Sequence, residues 1–222
     1  MRPFQTMKAN DGYEVVLFPF AYMYMSQDEG GDYSHANTYN LDFLGWGPDG
    51  RIYQCLFYAP CTLECVAIWD ATSNNRVYQS TDKVHFADGS FDYLTICFAH
   101  DDDPLYNIGD IIPQGQVLGH TGTTGQVTGD HTHTCCGIGQ YAGYTQRNGG
   151  NWDLTNRCHY WDATYVNDTV IVEGYGHDWR TYDGGLLRKS SYKFNLFSRY
   201  LKDLRKIDKK EKISYNKGGN DE

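Results

Sequence analysis

Short apolar or alternating runs, separated by turn residues, fill the first 187 residues of the chain. Clusters of Gly, Asn, Asp and Pro lie between most of these runs, and such clusters favour turns. No segment of this part keeps the 3.6-residue apolar period of a helix for long. The pattern therefore predicts an all-β fold, an antiparallel sheet arranged as a sandwich or barrel-like structure. The predicted strands cover residues 13–18, 39–43, 51–58, 65–69, 91–99, 116–118, 132–137 and 169–172.

The end of the chain has a different pattern. Leu196, Tyr200, Leu201 and Leu204 recur at helical spacing inside a Lys/Arg-rich stretch, which predicts a short amphipathic helix. Residues 212–222 have the composition of a disordered terminus. We therefore predict one domain over residues 1–187 and a basic, partly helical and partly disordered tail over residues 188–222.

Charge follows the same division. The 222 residues carry a net charge of −9. Residues 1–187 contain 8 Lys/Arg against 23 Asp/Glu, whereas residues 188–222 contain 11 Lys/Arg against 5 Asp/Glu. An acidic body repels nucleic acid over most of its surface, so no nucleic-acid partner is expected.

Neither a membrane span nor an export signal is expected. The longest nearly unbroken apolar run covers residues 15–25 and contains Pro19, whereas a spanning helix needs about 20 apolar residues. The first residues lack a basic segment followed by an apolar stretch, so no signal peptide is predicted. The chain is therefore expected to be soluble and made in the cytoplasm.

The chain contains seven cysteines, an odd number. Without an export signal, reduced thiols are expected. Cys97 lies in an apolar run and is predicted to be a buried, inert thiol. Cys61 and Cys65, together with the Cys135–Cys136 pair, offer an alternative structural zinc site, although their spacing is not a common two-plus-two pattern.

The segment Asp130-His131-Thr132-His133 is the sharpest candidate for chemistry. Residues i and i+2 of a strand point to the same face, so His131 and His133 can converge on one point. Neutral imidazole is a common metal ligand, and a neighbouring imidazole can handle a proton. A glycine-rich stretch over residues 109–129 leads into this segment and predicts a hairpin followed by a flexible loop.

The order of these pieces resembles the lysostaphin-type, LytM-like zinc metallopeptidases, which cut the peptides of bacterial peptidoglycan. Residues 109–133 match the family hairpin G-D-x-V-x-x-G-Q-x-I-G and the glycine-rich loop ending in H-x-H. Phe98-Ala99-His100 matches the family Tyr/Phe-x-His. His35 and Asp42 correspond to the H-x-x-x-D motif, and Ala59-Pro60 to the A-P that follows it.

This resemblance implies a β-sheet domain with an open groove and a zinc ion held by His35, Asp42 and His133. It also implies a zinc endopeptidase, with a water molecule at the fourth metal position. His131 is expected to be the general base. His100 is the second candidate for that role or for stabilising the oxyanion. The expected partner is the peptide part of peptidoglycan.

Three features of the sequence depart from the family pattern. Seven positions separate His35 from Asp42 instead of four, Thr134-Cys135 follows the H-x-H, and Cys61-Thr62 follows the Ala-Pro. The longer gap is similar to that of phage tail and endolysin members. It implies a phage or prophage lytic protein, released by lysis or carried on the virion, either a monomer or part of a phage tail. The basic tail is a candidate contact for anionic wall polymers such as teichoic acid.

The sequence features also bear on two other functions. A catalytically inactive module of the same fold is the main alternative, and such members usually lose metal ligands. A lipoyl- or biotinyl-carrier hairpin needs a Lys at its turn, and none occurs between Lys83 and Lys189. Among the remaining histidines, His120 is a candidate groove residue and the others are expected to be structural: His85, His159 and His177.

Overall fold

The computed structural model of the chain describes residues 1–183 and the short strand Leu186–Leu187. These described residues belong to one compact unit. The predicted tail of residues 188–222, with its helix and its disordered end, lies outside the described residues. Within the described part, no helix is long and apolar enough to cross a membrane.

Strands make up nearly all of the regular structure. The helical elements of the described residues are a 3₁₀ turn, Tyr33–His35, and one short helix, α1, Tyr160–Ala163. Strands β1–β19 cover, in chain order, Tyr22–Gln27, Leu41–Phe43, Trp46–Gly47, Gly50–Arg51, Leu56–Tyr58, Leu63–Asp70, Asn75–Ser80, Val84–His85, Phe91–Asp92, Leu94–Ala99, Ile111–Ile112, Val117–His120, Thr132–Ile138, Tyr144–Gln146, Trp152–Leu154, Arg157–Cys158, Val170–Glu173, Trp179–Arg180 and Leu186–Leu187. The prediction of an all-β fold is confirmed.

One large sheet organises the domain. Its strands follow the order β11-β6-β7-β10-β13-β2-β1-β17, and β16 pairs with β13 beside this path. All pairings are antiparallel except that of β1 with β17, which is parallel and makes the sheet mixed. The first and last strands of this order do not pair, so the sheet is open rather than a closed barrel.

The strand predicted over residues 13–18 is wrong. Residues 15–18 of this segment are buried, but the segment makes only isolated bridges, such as Val15 with His85 and Leu17 with Tyr165. Val15, Val16, Leu17 and Phe18 are all fully buried, so the chain passes through the core instead of joining one sheet edge. An apolar run does not distinguish a buried sheet strand from an extended segment in the core, since side chains are buried on all sides in both cases.

The two faces of β13 have different surroundings. Cys136 belongs to the main core, and Thr134 contacts the buried hydroxyl of Tyr160 on the same side. Cys135 belongs to a smaller cluster with Val77, Cys97 and Leu154 on the opposite face. Because side chains alternate along a strand, His133 projects on the same face as Cys135. The sheet therefore places His133 on the face away from the main core.

Aromatic rings fill the main core beneath the sheet. The ring of Phe18 packs edge-on against those of Phe43, Tyr160 and Trp179, at centroid distances of 5.2, 6.0 and 5.6 Å. Burying a large apolar side chain contributes about 1.5–3 kcal/mol. This packing holds β2 in place through Phe43. Asp42, the preceding residue of β2, projects on the opposite face of the sheet.

Candidate metal centre

Three neighbouring strands bring the candidate residues together. In the antiparallel register, Asp42 of β2 lies opposite His133 of β13, and His133 lies opposite Ala99 of β10. His100 follows β10 directly, so it emerges beside His133. His35 reaches the same place from the 3₁₀ turn that precedes β2. The register of three strands thus assembles residues from distant parts of the sequence.

The ligand atoms of His35, Asp42 and His133 form a small triangle. Nε2 of His35 lies 3.2 Å from Nδ1 of His133 and 3.2 Å from Oδ1 of Asp42. Nδ1 of His133 lies 3.0 Å from the same carboxylate oxygen. Ligands about 2.0–2.1 Å from a tetrahedral zinc are about 3.3 Å apart, so the triangle has the size that zinc requires. Among the described residues, these three form a group that can hold a metal ion.

Hydrogen bonding sets the tautomer of His35. Its ring is fully buried, and Nδ1 lies 3.0 Å from the backbone carbonyl of Asp28. A carbonyl oxygen can only accept, so Nδ1 carries the proton. A neutral His35 ring therefore presents the lone pair of Nε2 to Asp42 and His133, as a metal ligand must.

Asp42 is held in its charged form. Burial alone would raise the pKa of Asp42, but the hydrogen bonds and charge of His133 and His35 outweigh that effect when these rings are protonated. The pKa of this carboxyl group lies well below its ordinary value. The site therefore supplies two imidazoles and one carboxylate, a donor set that suits catalytic zinc.

His131 and His100 lie next to the triangle as a matched pair. Nδ1 of His131 donates to the carbonyl of Gly129 at 2.8 Å, and Nδ1 of His100 donates to that of Thr124 at 2.9 Å. Each ring thus leaves Nε2 without a proton in its neutral form. The two ring centroids are 4.8 Å apart, and Nε2 of His131 lies 3.7 Å from Oδ1 of Asp42.

Burial has a large effect on His100. Burial first, and then the charge of His133, lowers the pKa of His100 from 6.5 to about 4, so the ring is neutral at pH 7. Its backbone has a φ of 76°, in the left-handed region that a side chain other than glycine rarely adopts. Such strain persists only where surrounding contacts enforce it, and here the backbone N–H of His100 donates to Ser73 at 2.7 Å.

A buried carboxylate, Asp130, holds the loop that carries His131. Asp130 belongs to the candidate segment of residues 130–133, but its sequence context gave it no role. Asp130 accepts hydrogen bonds from the Thr121 hydroxyl at 2.7 Å and from the backbone N–H of Gln54 at 2.9 Å. Arg51 also contacts Asp130, through both its carboxylate and its backbone carbonyl. These bonds tie both ends of the glycine-rich loop to a neighbouring segment and fix the start of β13.

The other candidate residues are not brought into the triangle. His120 bonds Asp101 through Nε2 at 3.2 Å and the carbonyl of Thr121 through Nδ1 at 2.8 Å. Cys135 and Cys136 point to opposite faces of the sheet and approach different thiols, Cys97 and Cys158, with Sγ–Sγ distances of 3.1 and 3.6 Å. The alternative zinc site with Cys61 and Cys65 is therefore not assembled. Cys97 is buried, as predicted.

A polar cavity opens beside the loop between His35 and Asp42. Its volume is about 690 Å³. The residues between these two candidate ligands contribute Asn37, Thr38 and Tyr39, and other walls come from Arg147 and Arg157. The longer His35–Asp42 gap, noted in the sequence, therefore shapes the surface next to the triangle.

No family model matches the chain. A curated protein similar to it is Morphogenesis protein 1 of Bacillus phage B103, which is 33% identical over 180 residues. The match covers 80% of this chain and 47% of that protein, so the chain spans about half the length of its relative.

Solved structures similar to the chain include two peptidases. A zinc-containing peptidase from Vibrio cholerae is 18% identical with a TM-score of 0.41, over 59% of this chain and 42% of that one. The catalytic domain of lysostaphin from Staphylococcus simulans is 18% identical with a TM-score of 0.38, over 54% of this chain and 80% of that one. Likeness at this level does not assign an activity.

Proposed function

We propose that this chain is a zinc-dependent endopeptidase that hydrolyses peptide bonds in bacterial peptidoglycan. The observation that carries the proposal is the triangle of His35, Asp42 and His133, flanked by two imidazoles that each present an unprotonated Nε2. Zinc in this triangle would act as a Lewis acid on the scissile carbonyl and would lower the pKa of a bound water molecule to about 7.

His131 is the proposed general base. Its Nδ1–H is fixed on Gly129, so Nε2 is free to take a proton from the attacking water and pass it to the leaving amine. His131 also lies close to Asp42, at 3.7 Å, which stabilises the imidazolium once it forms. His131 is therefore placed to take part in both proton transfers, from the water and to the amine.

His100 had two candidate roles, and its tautomer favours one of them. With Nδ1–H donated to the carbonyl of Thr124, the neutral ring has an unprotonated Nε2, which can accept a proton but has none to give to an oxyanion. We therefore assign His100 as a second proton acceptor beside His131. Oxyanion stabilisation would then fall to the metal rather than to this ring.

The phage context is part of the proposal. The motifs resemble those of peptidoglycan peptidases, and the curated relative is a morphogenesis protein of a Bacillus phage. We propose that the enzyme opens the cell wall as a virion component or a lytic protein. Contact of the basic residues 188–222 with anionic wall polymers remains a separate proposal, as does the division into a catalytic domain over residues 1–187 and a tail.

An inactive module of the same fold is the alternative. It predicts that purified protein leaves peptidoglycan peptides intact even when zinc is bound. The test is zinc analysis of the protein together with mass spectrometry of wall fragments, on wild type and His131→Ala. New amino and carboxyl ends from wild type, absent with His131→Ala at equal zinc content, support the peptidase. Bound zinc without new peptide ends supports the inactive module.

A further inference from the structure

Residues 157–177, to which the sequence assigned no role, contribute to a continuous stack of rings. The guanidinium of Arg157 lies 4.0 Å from the ring centroid of Tyr39. The stack continues from Tyr39 to His159, from His159 to Trp161 and from Trp161 to His177, with centroid distances of 4.1, 4.7 and 3.5 Å.

Two histidines of this stack bond the same turn. Nε2 of His177 lies 2.8 Å from Oδ2 of Asp28, and Nδ1 of His159 lies 2.6 Å from Oε2 of Glu29. The turn itself contains Gly30 and Gly31, so its backbone has wide conformational freedom without external contacts. The stack therefore supplies side-chain bonds that hold an otherwise adaptable turn.

The turn connects the stack to the metal ligands. The backbone carbonyl of Asp28 accepts the Nδ1–H of His35 at 3.0 Å. That bond fixes both the tautomer of His35 and the direction of its Nε2. Because Asp28 bonds His177 through its side chain and His35 through its backbone, displacement of one contact changes the other.

We propose that His177 and Asp28 are positioning residues that orient His35 for metal binding. This inference rests on the proposed function, since it assumes that His35 is a metal ligand. Partners that orient a metal-ligating imidazole usually change metal affinity about 10–100-fold when they are removed. His177 acts through Asp28 and one further bond, so we expect about a tenfold effect, at the lower end of that range.

Two substitutions separate the hydrogen bond from the ring contact. His177→Phe keeps a ring against Trp161 but removes the donor to Asp28. His177→Gln keeps a donor near the position of Nε2 but removes the ring. The matched control is His85→Phe, because His85 also bonds an aspartate, Asp11, at 2.8 Å and packs on an aromatic ring, outside this stack.

The measurement is the zinc dissociation constant of the full chain, obtained by competition with a chelating dye. We expect about tenfold weaker binding for His177→Phe, and binding close to wild type for His177→Gln and His85→Phe. Equal affinity of His177→Phe and His85→Phe would overturn the inference. Wild-type affinity of His177→Phe together with weaker binding by His177→Gln would overturn it as well, since the ring rather than the bond would then matter.

A second readout does not depend on zinc. Nitrogen-15 NMR of the metal-free protein reports which ring nitrogen of His35 carries the proton. We expect the Nδ1–H form in wild type and in His177→Gln, and a mixture of tautomers in His177→Phe. A wild type that binds no zinc would contradict the proposed function, whereas an unchanged His35 tautomer in His177→Phe would contradict the positioning role.

Discussion

Nε2 of His35 lies 3.2 Å from Nδ1 of His133, although 98 positions separate these residues in the chain. The pairing of β13 with β2 and the 3₁₀ turn before β2 create this contact, with Asp42 as the third member. Two imidazole nitrogens and a carboxylate oxygen at these separations form a donor set of the size and chemistry that suit one zinc ion. The proposed zinc site therefore requires all three residues.

Removing one member should abolish zinc binding. His133→Ala leaves two ligands on different elements, and we expect zinc affinity to fall by more than about 100-fold, beyond the usual effect of an outer partner. The measurement is zinc affinity by dye competition, with His120→Ala as the control. His120 lies in β12, which pairs with β5, and it bonds Asp101 instead of the triangle. Equal zinc affinity of the two variants would exclude His133 as a ligand.

His131→Ala should separate chemistry from metal binding. We expect kcat on peptidoglycan peptides to fall about 10²–10⁴-fold, the usual contribution of a general base, with the zinc content unchanged. His100→Ala should have a smaller effect, since its ring is the second proton acceptor. If His100→Ala is the more damaged variant at equal zinc content, the two roles must be exchanged.

Two glycines of the glycine-rich stretch over residues 109–129 offer a matched test of packing. A Cβ on Gly119 would lie 2.3 Å from a carboxylate oxygen of Asp101 and 2.8 Å from the ring of Phe57, whereas one on Gly129 would meet nothing within 4 Å. Gly119→Ala should lower the free energy of unfolding by about 1–3 kcal/mol, and Gly129→Ala should change it by less than about 0.5 kcal/mol. Urea unfolding of both variants provides the comparison. Equal stability would show that the strand around Gly119 adjusts freely.

The pH dependence of stability should report Glu29. Burial first, and then the charges of Asp28 and Asp153, raise the pKa of Glu29 from 4.5 to about 8. The folded protein therefore keeps a proton that the unfolded chain releases above pH 4.5. This contribution to stability is complete below pH 4.5 and is lost as the pH rises towards 8.

Glu29→Gln imitates the protonated side chain and removes that loss. Relative to wild type, the free energy of unfolding of Glu29→Gln should rise by about 1–3 kcal/mol between pH 5 and pH 9, allowing for partial exposure to solvent. Urea unfolding across this range measures the difference. A difference between the two proteins that does not change with pH would mean that Glu29 is ionised in the folded state.

The sequence predicted the β class and the residues that meet at the site. Alternation and turn residues located most strands, and the order His35, Asp42, His100, His131, His133 identified the trio that the structure brings together. These features were accessible because each depends on side-chain types at fixed spacing. The parallel pairing of β1 with β17 was not predicted, since an apolar run does not specify the direction of its neighbour.

The hydrogen bonds that orient the site histidines could not be predicted from the sequence. The bonds that set the tautomers of His35, His100 and His131 all go to backbone carbonyls, which every residue possesses. Asp130 has no distinctive spacing to Arg51, and its role appears only when the loop folds back. The stack that includes His159 and His177 resembled ordinary structural aromatics, because the sequence does not show which rings are in contact.

Mass spectrometry of peptidoglycan fragments tests the central claim most directly. Purified bacterial walls are incubated with the zinc-loaded full chain, and the peptide ends of the released fragments are identified. The account predicts new paired amino and carboxyl ends at one type of peptide bond with wild type, and none with His131→Ala at the same zinc content. Intact peptides after incubation with a correctly folded, zinc-bound wild-type chain would contradict it.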